Sequence, residues 1–226
     1  MRVAGGDAKG RRLKGAVSPG TRATTERVRA AIFNILDPEQ YQGGRVLDLF
    51  SGTGSLGIEA LSHGAGWADF VEWDRRQSVV ISNNLESTGF SSQSHVHKLD
   101  VLQALVTLPG RYNLVLLDPP YKMGGLDSLL EKISSQPGLI VDDGVVVAGH
   151  SKRDGLQEIY GPLRLTSHRQ YGDNVVDFFV YEQNPDDSEP QHETPENLAS
   201  LEEGSDQGEY GDSSWYRRYI RAALIR

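Results

Sequence analysis

Val46-Leu47-Asp48-Leu49-Phe50, followed by Ser51-Gly52-Thr53-Gly54-Ser55-Leu56-Gly57, decides the fold. The first five residues have the length and composition of a short buried strand. The glycines mark a turn, and a helical pattern follows, with Leu56, Ile58 and Leu61 apolar and Glu59 and His63 polar. Strand, glycine turn, helix is a nucleotide-binding arrangement, because glycine admits positive φ and lets a ligand approach the backbone. Gly52, Gly54 and Gly57 also satisfy G-x-G-x-x-G, which by itself equally suits a dinucleotide. Asp48 separates the two readings. A carboxylate at the strand end, four residues before Gly52, suits a cationic amine or a water network and is poorly matched to a pyrophosphate.

Three more strand-like stretches follow, each ending in an acid. Ala68-Asp69-Phe70-Val71 leads to Glu72, 20 residues past Gly52, the usual spacing for a carboxylate on ribose hydroxyls. Asp74 competes for that role. His95-Val96-His97-Lys98-Leu99 leads to Asp100, placed to accept from an adenine amine. Leu114-Val115-Leu116-Leu117 leads to Asp118-Pro119-Pro120-Tyr121. Any one of these acids could instead cap a helix, as Asp commonly does after a strand, and Asp100 is evenly balanced between the two roles. Together they predict one crevice at the carboxyl edge of a parallel sheet. The two prolines end the last strand and donate no hydrogen bond, so the loop is rich in acceptors beside an aromatic ring. Acceptors next to a stacking surface suit a planar group bearing an NH2, such as a nucleobase amine.

Strands alternating with helices from Arg45 to about Gln136 imply right-handed βαβ units in an α/β domain. Val145-Val146-Val147-Ala148 reads as a fifth buried strand. Residues 160–182 read as two antiparallel strands around Tyr171-Gly172-Asp173-Asn174. Upstream, residues 1–14 read as one or two short basic strands and 15–23 as a loop. Thr24 or Thr25 can cap a helix whose apolar face is Val28, Ala31, Ile32, Ile35 and Leu36. The division expected is a basic N-terminal extension with its helix (1–36), a catalytic domain (37–182), an acidic disordered linker (183–214) and a short amphipathic basic helix (215–226).

The net charge of −8 is unevenly spread. Residues 183–214 hold ten acids and no Lys or Arg, and setting those ten charges aside leaves the rest of the chain at +2. Residues 1–36 carry eight bases against Asp7 and Glu26, a net +6. That concentration is the electrostatic footprint of phosphate contacts, with Arg11, Arg12, Arg22, Arg27 and Arg29 as candidates. Any single one of them could be ordinary solvated surface. Cysteine is absent, which excludes disulfides and thiolate metal sites. No metal site, signal peptide or membrane-length apolar run is expected, which makes a cytoplasmic monomer the default.

Asp48-Leu49-Phe50-Ser51-Gly52-Thr53-Gly54 resembles motif I of the class I S-adenosylmethionine-dependent methyltransferases. Asp118-Pro119-Pro120-Tyr121 resembles motif IV of those that methylate exocyclic amines. Arg2-Val3-Ala4-Gly5-Gly6, Lys9-Gly10-Arg11-Arg12-Leu13-Lys14, Arg22-Ala23-Thr24-Thr25-Glu26-Arg27-Val28-Arg29 and Ile32-Phe33-Asn34-Ile35-Leu36 are similar to the RsmD family, the bacterial 16S ribosomal RNA guanine-N2 methyltransferases. Gln170-Tyr171-Gly172-Asp173 is similar to that family's last hairpin. The similarity covers roughly residues 1–182 and departs at Ala23, where the family usually has proline.

The resemblance implies a Rossmann-like, mostly parallel sheet with a C-terminal antiparallel hairpin and a small N-terminal basic extension. It implies S-adenosylmethionine held by Asp48, Gly52, Gly54, Glu72 and Asp100, and Asp118, Pro119 and Tyr121 at the reacting amine. It implies ribosomal RNA or the small subunit as partner. A DNA adenine-N6 methyltransferase would share both motifs but usually carries an added recognition region. A nicotinamide oxidoreductase would leave Asp118-Pro119-Pro120-Tyr121 without a use, and a non-catalytic RNA-binding module would leave the carboxylate crevice without one.

Overall fold

The computed structural model describes residues 1–15, 24–120 and 123–182. Tyr121, Arg22, Ala23 and the expected linker and terminal helix of 183–226 lie outside the described residues.

Among the described residues, one eight-stranded sheet is formed, in the order β3-β2-β1-β4-β5-β8-β7-β6. Strands β1 (Arg45–Leu49), β2 (Trp67–Val71), β3 (Ser94–His97), β4 (Tyr112–Leu117) and β5 (Ile140–Ser151) are parallel. β8 (Asn174–Tyr181) inserts antiparallel between β5 and β7 (Leu163–Tyr171), as the Tyr171-Gly172-Asp173-Asn174 turn predicts. A two-residue edge strand, β6 (Ile159–Tyr160), was not legible because two residues carry no periodicity. The chain leaves β1 toward β2 and β3, then crosses back to β4 and β5. β1 and β4 therefore flank the switch point, where open α/β sheets bind their ligands.

Side chains alternate across each strand, so the sheet feeds two cores. Val46, Phe70, Leu114, Leu116, Val145 and Val147 pack toward α1 (Glu26–Ile35), α2 (Ser55–Ser62) and α3 (Arg75–Thr88). Leu47, Leu49, Val115, Leu117 and Val146 pack toward α4 (Val101–Thr107) and α5 (Leu126–Ser134). Each burial of a large aliphatic side chain contributes about 1.5–3 kcal/mol before entropy is charged against it. Among the described residues, no helix is long and apolar enough to cross a membrane.

The N-terminal segment departs from expectation. Its only strand-like pairing is a single bridge between Arg2 and Arg12. Val3 N and Leu13 N pair with Arg11 O and Met1 O beside it, but other amides of the segment go to side chains of α2 and α3. Ala4 and Gly5 donate to Glu59, Ala8 donates to Ser62 Oγ, and Lys14 donates to Asn84 Oδ1. Val3, Ala8 and Leu13 are buried in the same core as α1 and α2, so the segment is strapped onto the domain.

Helix α1 is capped by Thr25, whose hydroxyl accepts from Val28 N. Its buried face is Val28, Arg29, Ile32 and Phe33, with Leu36 buried just beyond, whereas Ile35 is 37 % exposed. The face is rotated from the predicted apolar stripe because Arg29 is drawn inward by a buried acid. Arg29 Nε lies 3.3 Å from Glu59 Oε2, and both side chains are fully buried. Arg29 therefore cannot contact RNA phosphates, which corrects the expectation from charge clustering. Counting bases along a sequence does not reveal which of them already has a buried partner.

Candidate active site

The chain rises from β1 into a tight loop. Phe50 takes φ 60°, a conformation seldom adopted by residues other than glycine, and Gly52 and Gly54 follow at φ 55° and 74°. Ser51 ties the turn down by donating to Asp48 O at 2.6 Å and Val71 O at 3.2 Å. Asn84 donates to Thr53 O at 2.9 Å, joining the loop to α3 and the N-terminal strap. Gly57 is bare for a packing reason: a Cβ there would lie 2.4 Å from Phe70 Cε1 and 3.1 Å from Asp48 Oδ2.

Three of the four predicted carboxylates converge at the switch point. Asp48 is 1 % exposed and accepts from Gly57 N at 2.9 Å. Glu72 is buried, accepting from Gly52 N at 3.0 Å through Oε2 and from Asp74 N at 2.9 Å through Oε1. Asp118 follows β4 directly and accepts from the Thr24 hydroxyl. Burial pushes the Asp48 carboxyl up to about 8, with the charges of Asp118 and Glu72 adding to the rise. Burial likewise pushes Glu72 up to about 7, against its backbone hydrogen bonds.

The fourth, Asp100, caps a helix, and so does Asp74, the competitor for Glu72's role. Asp100 accepts from Gln103 N at 2.9 Å at the start of α4. Asp74 accepts from Arg76 N and Gln77 N at the start of α3, which leaves Glu72 as the acid on the glycine loop. Arg11, Arg12 and Arg27 are exposed, and Arg11 Nη1 donates to Ser87 O at 3.3 Å.

Behind Pro119 and Pro120 lies a cavity of about 120 Å³, also lined by Gly124, Gly125, His150 and Leu156. His150 is buried, with Nε2 3.0 Å from Asp177 Oδ2 and Nδ1 3.0 Å from Ser151 O. Asp177 also meets His168 Nδ1 at 2.7 Å. This His-Asp-His chain and Thr24 were both missed by sequence reading. Thr24 carried a faint signal, since only one hydroxyl of the Thr24-Thr25 pair can serve as the helix cap.

The donor set fits S-adenosylmethionine. Carboxyls whose ionised forms gain from an incoming positive charge and from hydroxyl donors suit a ligand that brings both. The pyrophosphate of a dinucleotide would instead face three acids.

The family model described as Conserved hypothetical protein 95 matches residues 1–180. A Bacillus subtilis protein named as the rRNA methyltransferase YlbH is 38% identical over 175 residues, covering 76% of this chain and 94% of its own. Ribosomal RNA small subunit methyltransferase D of Escherichia coli strain K12 is 31% identical over 182 residues, covering 80% and 89%. A solved Escherichia coli structure named as the methyltransferase yhhF superposes with a TM-score of 0.71 at 27% identity, over 80% of this chain and 98% of that one. With its glycine loop, its carboxylate crevice and its strapped N-terminus, the chain belongs to the RsmD family of ribosomal RNA methyltransferases.

Proposed function

We propose that this protein transfers a methyl group from S-adenosylmethionine to the exocyclic N2 amine of a guanine in small-subunit ribosomal RNA. The observation that carries the proposal is the position of Asp118 and the Pro119 carbonyl. They directly follow β4, beside the buried Asp48–Glu72 pair at the sheet's switch point.

S-adenosylmethionine supplies, when bound, an electrophilic methyl group on a sulfonium. Gly52 and Gly54 would let the loop backbone approach that ligand, Glu72 would accept from its ribose hydroxyls, and Asp48 would face its positive charge. Asp100, with one oxygen engaged in capping, is the candidate for the adenine amine. A guanine N2 lone pair is delocalised into the ring and is a poor nucleophile. Asp118 and the Pro119 carbonyl accept its N–H bonds, hold the nitrogen in line, and favour pyramidalisation. The Asp118 carboxylate then stabilises the positive charge that develops on nitrogen. Tyr121 supplies a stacking surface for a base turned out of its surroundings. Arg11, Arg12, Arg22 and Arg27 supply phosphate contacts. We place the activity in a cytoplasmic monomer acting on RNA or the small subunit.

The test incubates the purified protein and methyl-labelled S-adenosylmethionine with small subunits, or their naked RNA, from cells lacking the modification. Digestion to nucleosides is expected to show label in N2-methylguanosine. Label in a methylated adenosine, or in neither substrate, would overturn the proposal.

A further inference from the structure

We infer that Thr24 is a positioning residue for methyl transfer, its hydroxyl holding Asp118 in the rotamer from which the carboxylate takes the target amine. The inference rests on the reading of Asp118 given above.

Thr24 does not cap α1, because Thr25 does. Its hydroxyl is therefore available, and it donates to Asp118 Oδ2. The backbone that carries it is clamped. Arg29 Nη1 donates to Thr24 O at 2.6 Å, Arg29 Nη2 donates to Arg2 O, and Arg29 Nε lies against Glu59. Glu59 in turn accepts from Ala4 N at 2.9 Å and Gly5 N at 2.6 Å. Arg29 and Glu59 are fully buried, so the clamp is rigid and dry. It refers Thr24 to α2, the helix that begins at the glycine loop. The loop and the hydroxyl at Asp118 thus share one anchor.

The other side of the carboxylate is bounded too. A Cβ at Gly149 would lie 2.9 Å from Asp118 Oδ1 and 3.5 Å from its Cγ. Asp118 therefore sits between a donor hydroxyl and a position where a Cβ would push its Oδ1 aside. A carboxylate oxygen has two lone pairs, so the Thr24 bond does not exhaust Oδ2 as an acceptor. Orientation of this kind matters to rate, because a misplacement of about 1 Å costs on the order of a hundredfold.

The test is a kinetic comparison of Thr24→Val, Thr24→Ser, Gly149→Ala and Asp118→Ala. Thr24→Val is expected to lower kcat by roughly ten- to a hundredfold. Its KM for S-adenosylmethionine and its calorimetric affinity for S-adenosylhomocysteine should stay within about twofold, a change under half a kcal/mol. Thr24→Ser keeps the hydroxyl and should recover most of that kcat. Gly149→Ala should lower kcat by a similar factor, and the double variant Thr24→Val/Gly149→Ala should lose less than the product of the two, since both act on one carboxylate. A Thr24→Val kcat within about twofold of the parent, with Asp118→Ala inactive, would overturn the Thr24 role alone. Equal losses in Val and Ser, or a parallel loss of S-adenosylhomocysteine affinity, would overturn it as well. Turnover in Asp118→Ala would instead remove the reading on which it rests.

Discussion

Binding of S-adenosylmethionine near neutral pH should release protons, and the structure says which. In the cofactor-free protein, burial raises Asp48 to about 8 and Glu72 to about 7. At pH 7 Asp48 is then about nine-tenths protonated and Glu72 about half. A ligand that brings positive charge beside Asp48 and hydroxyl donors to Glu72 favours both ionised forms. Binding at pH 7 should therefore release about one proton, and at most about one and a half. Titration calorimetry in phosphate and in Tris separates this release from the intrinsic heat, because the two buffers take up protons with very different enthalpies. Asp48→Asn should cut the release to the share of Glu72, about half a proton, and Glu72→Gln should leave the larger share. Affinity should also weaken as pH falls below 8, by roughly ten- to twenty-five-fold per unit around pH 7 in the wild type and by about threefold in Asp48→Asn. The same two groups affect stability. Their folded pKa values lie above the unfolded ones, so the cofactor-free protein should lose stability as pH rises from about 4 toward 8. Heats identical in both buffers would refute the reasoning, showing that neither carboxyl changes ionisation when the ligand binds.

Three further outcomes follow from the packing. Gly57→Ala should destabilise the protein by about 1–3 kcal/mol in urea unfolding, because its Cβ would lie 2.4 Å from the buried Phe70 ring. Arg29→Met should cost about 3–5 kcal/mol by stranding the buried Glu59 carboxylate, whereas Arg11→Ala/Arg12→Ala should leave stability near the parent's and reduce the salt slope of RNA binding by about one unit per lost phosphate contact. His150 has an acceptor at each ring nitrogen; burial would lower its pKa, but Asp177 outweighs burial and raises it. Stability from that pair is present below the unfolded pKa and lost as pH rises through the folded one, so the melting-temperature deficit of Asp177→Asn should be larger at pH 6 than at pH 9.

What sequence could and could not show divides along physical lines. The parallel core was legible because β1, β2, β4 and the middle of β5 are short apolar runs stopped by an acid or a glycine, and the hairpin because Gly172 and Asn174 sit between two strand-like stretches. The carboxylate crevice was legible because chain direction puts every strand end of a parallel sheet on one edge. Asp100 and Asp74 show the limit, since a cap and a ligand-binding acid look alike in sequence. Arg29 was misread because its partner Glu59 lies 30 residues on, and nothing in the base-rich segment marks one arginine as buried. Gly149 was invisible for the same reason, and Thr24 showed only as the spare hydroxyl of a cap pair. Their importance lies in a contact with Asp118 made across 94 residues in one case and between neighbouring strand ends in the other.

The central claim is that Asp118 acts on the target amine, while Asp48, the glycine loop and Glu72 hold the methyl donor. The most direct measurement is a paired one on Asp118→Ala: methyl transfer to unmodified small subunits, and calorimetric affinity for S-adenosylhomocysteine. The account predicts that transfer is abolished while affinity stays within about threefold of the parent, a difference below 1 kcal/mol. Near-normal transfer, or loss of affinity in step with loss of transfer, would contradict it.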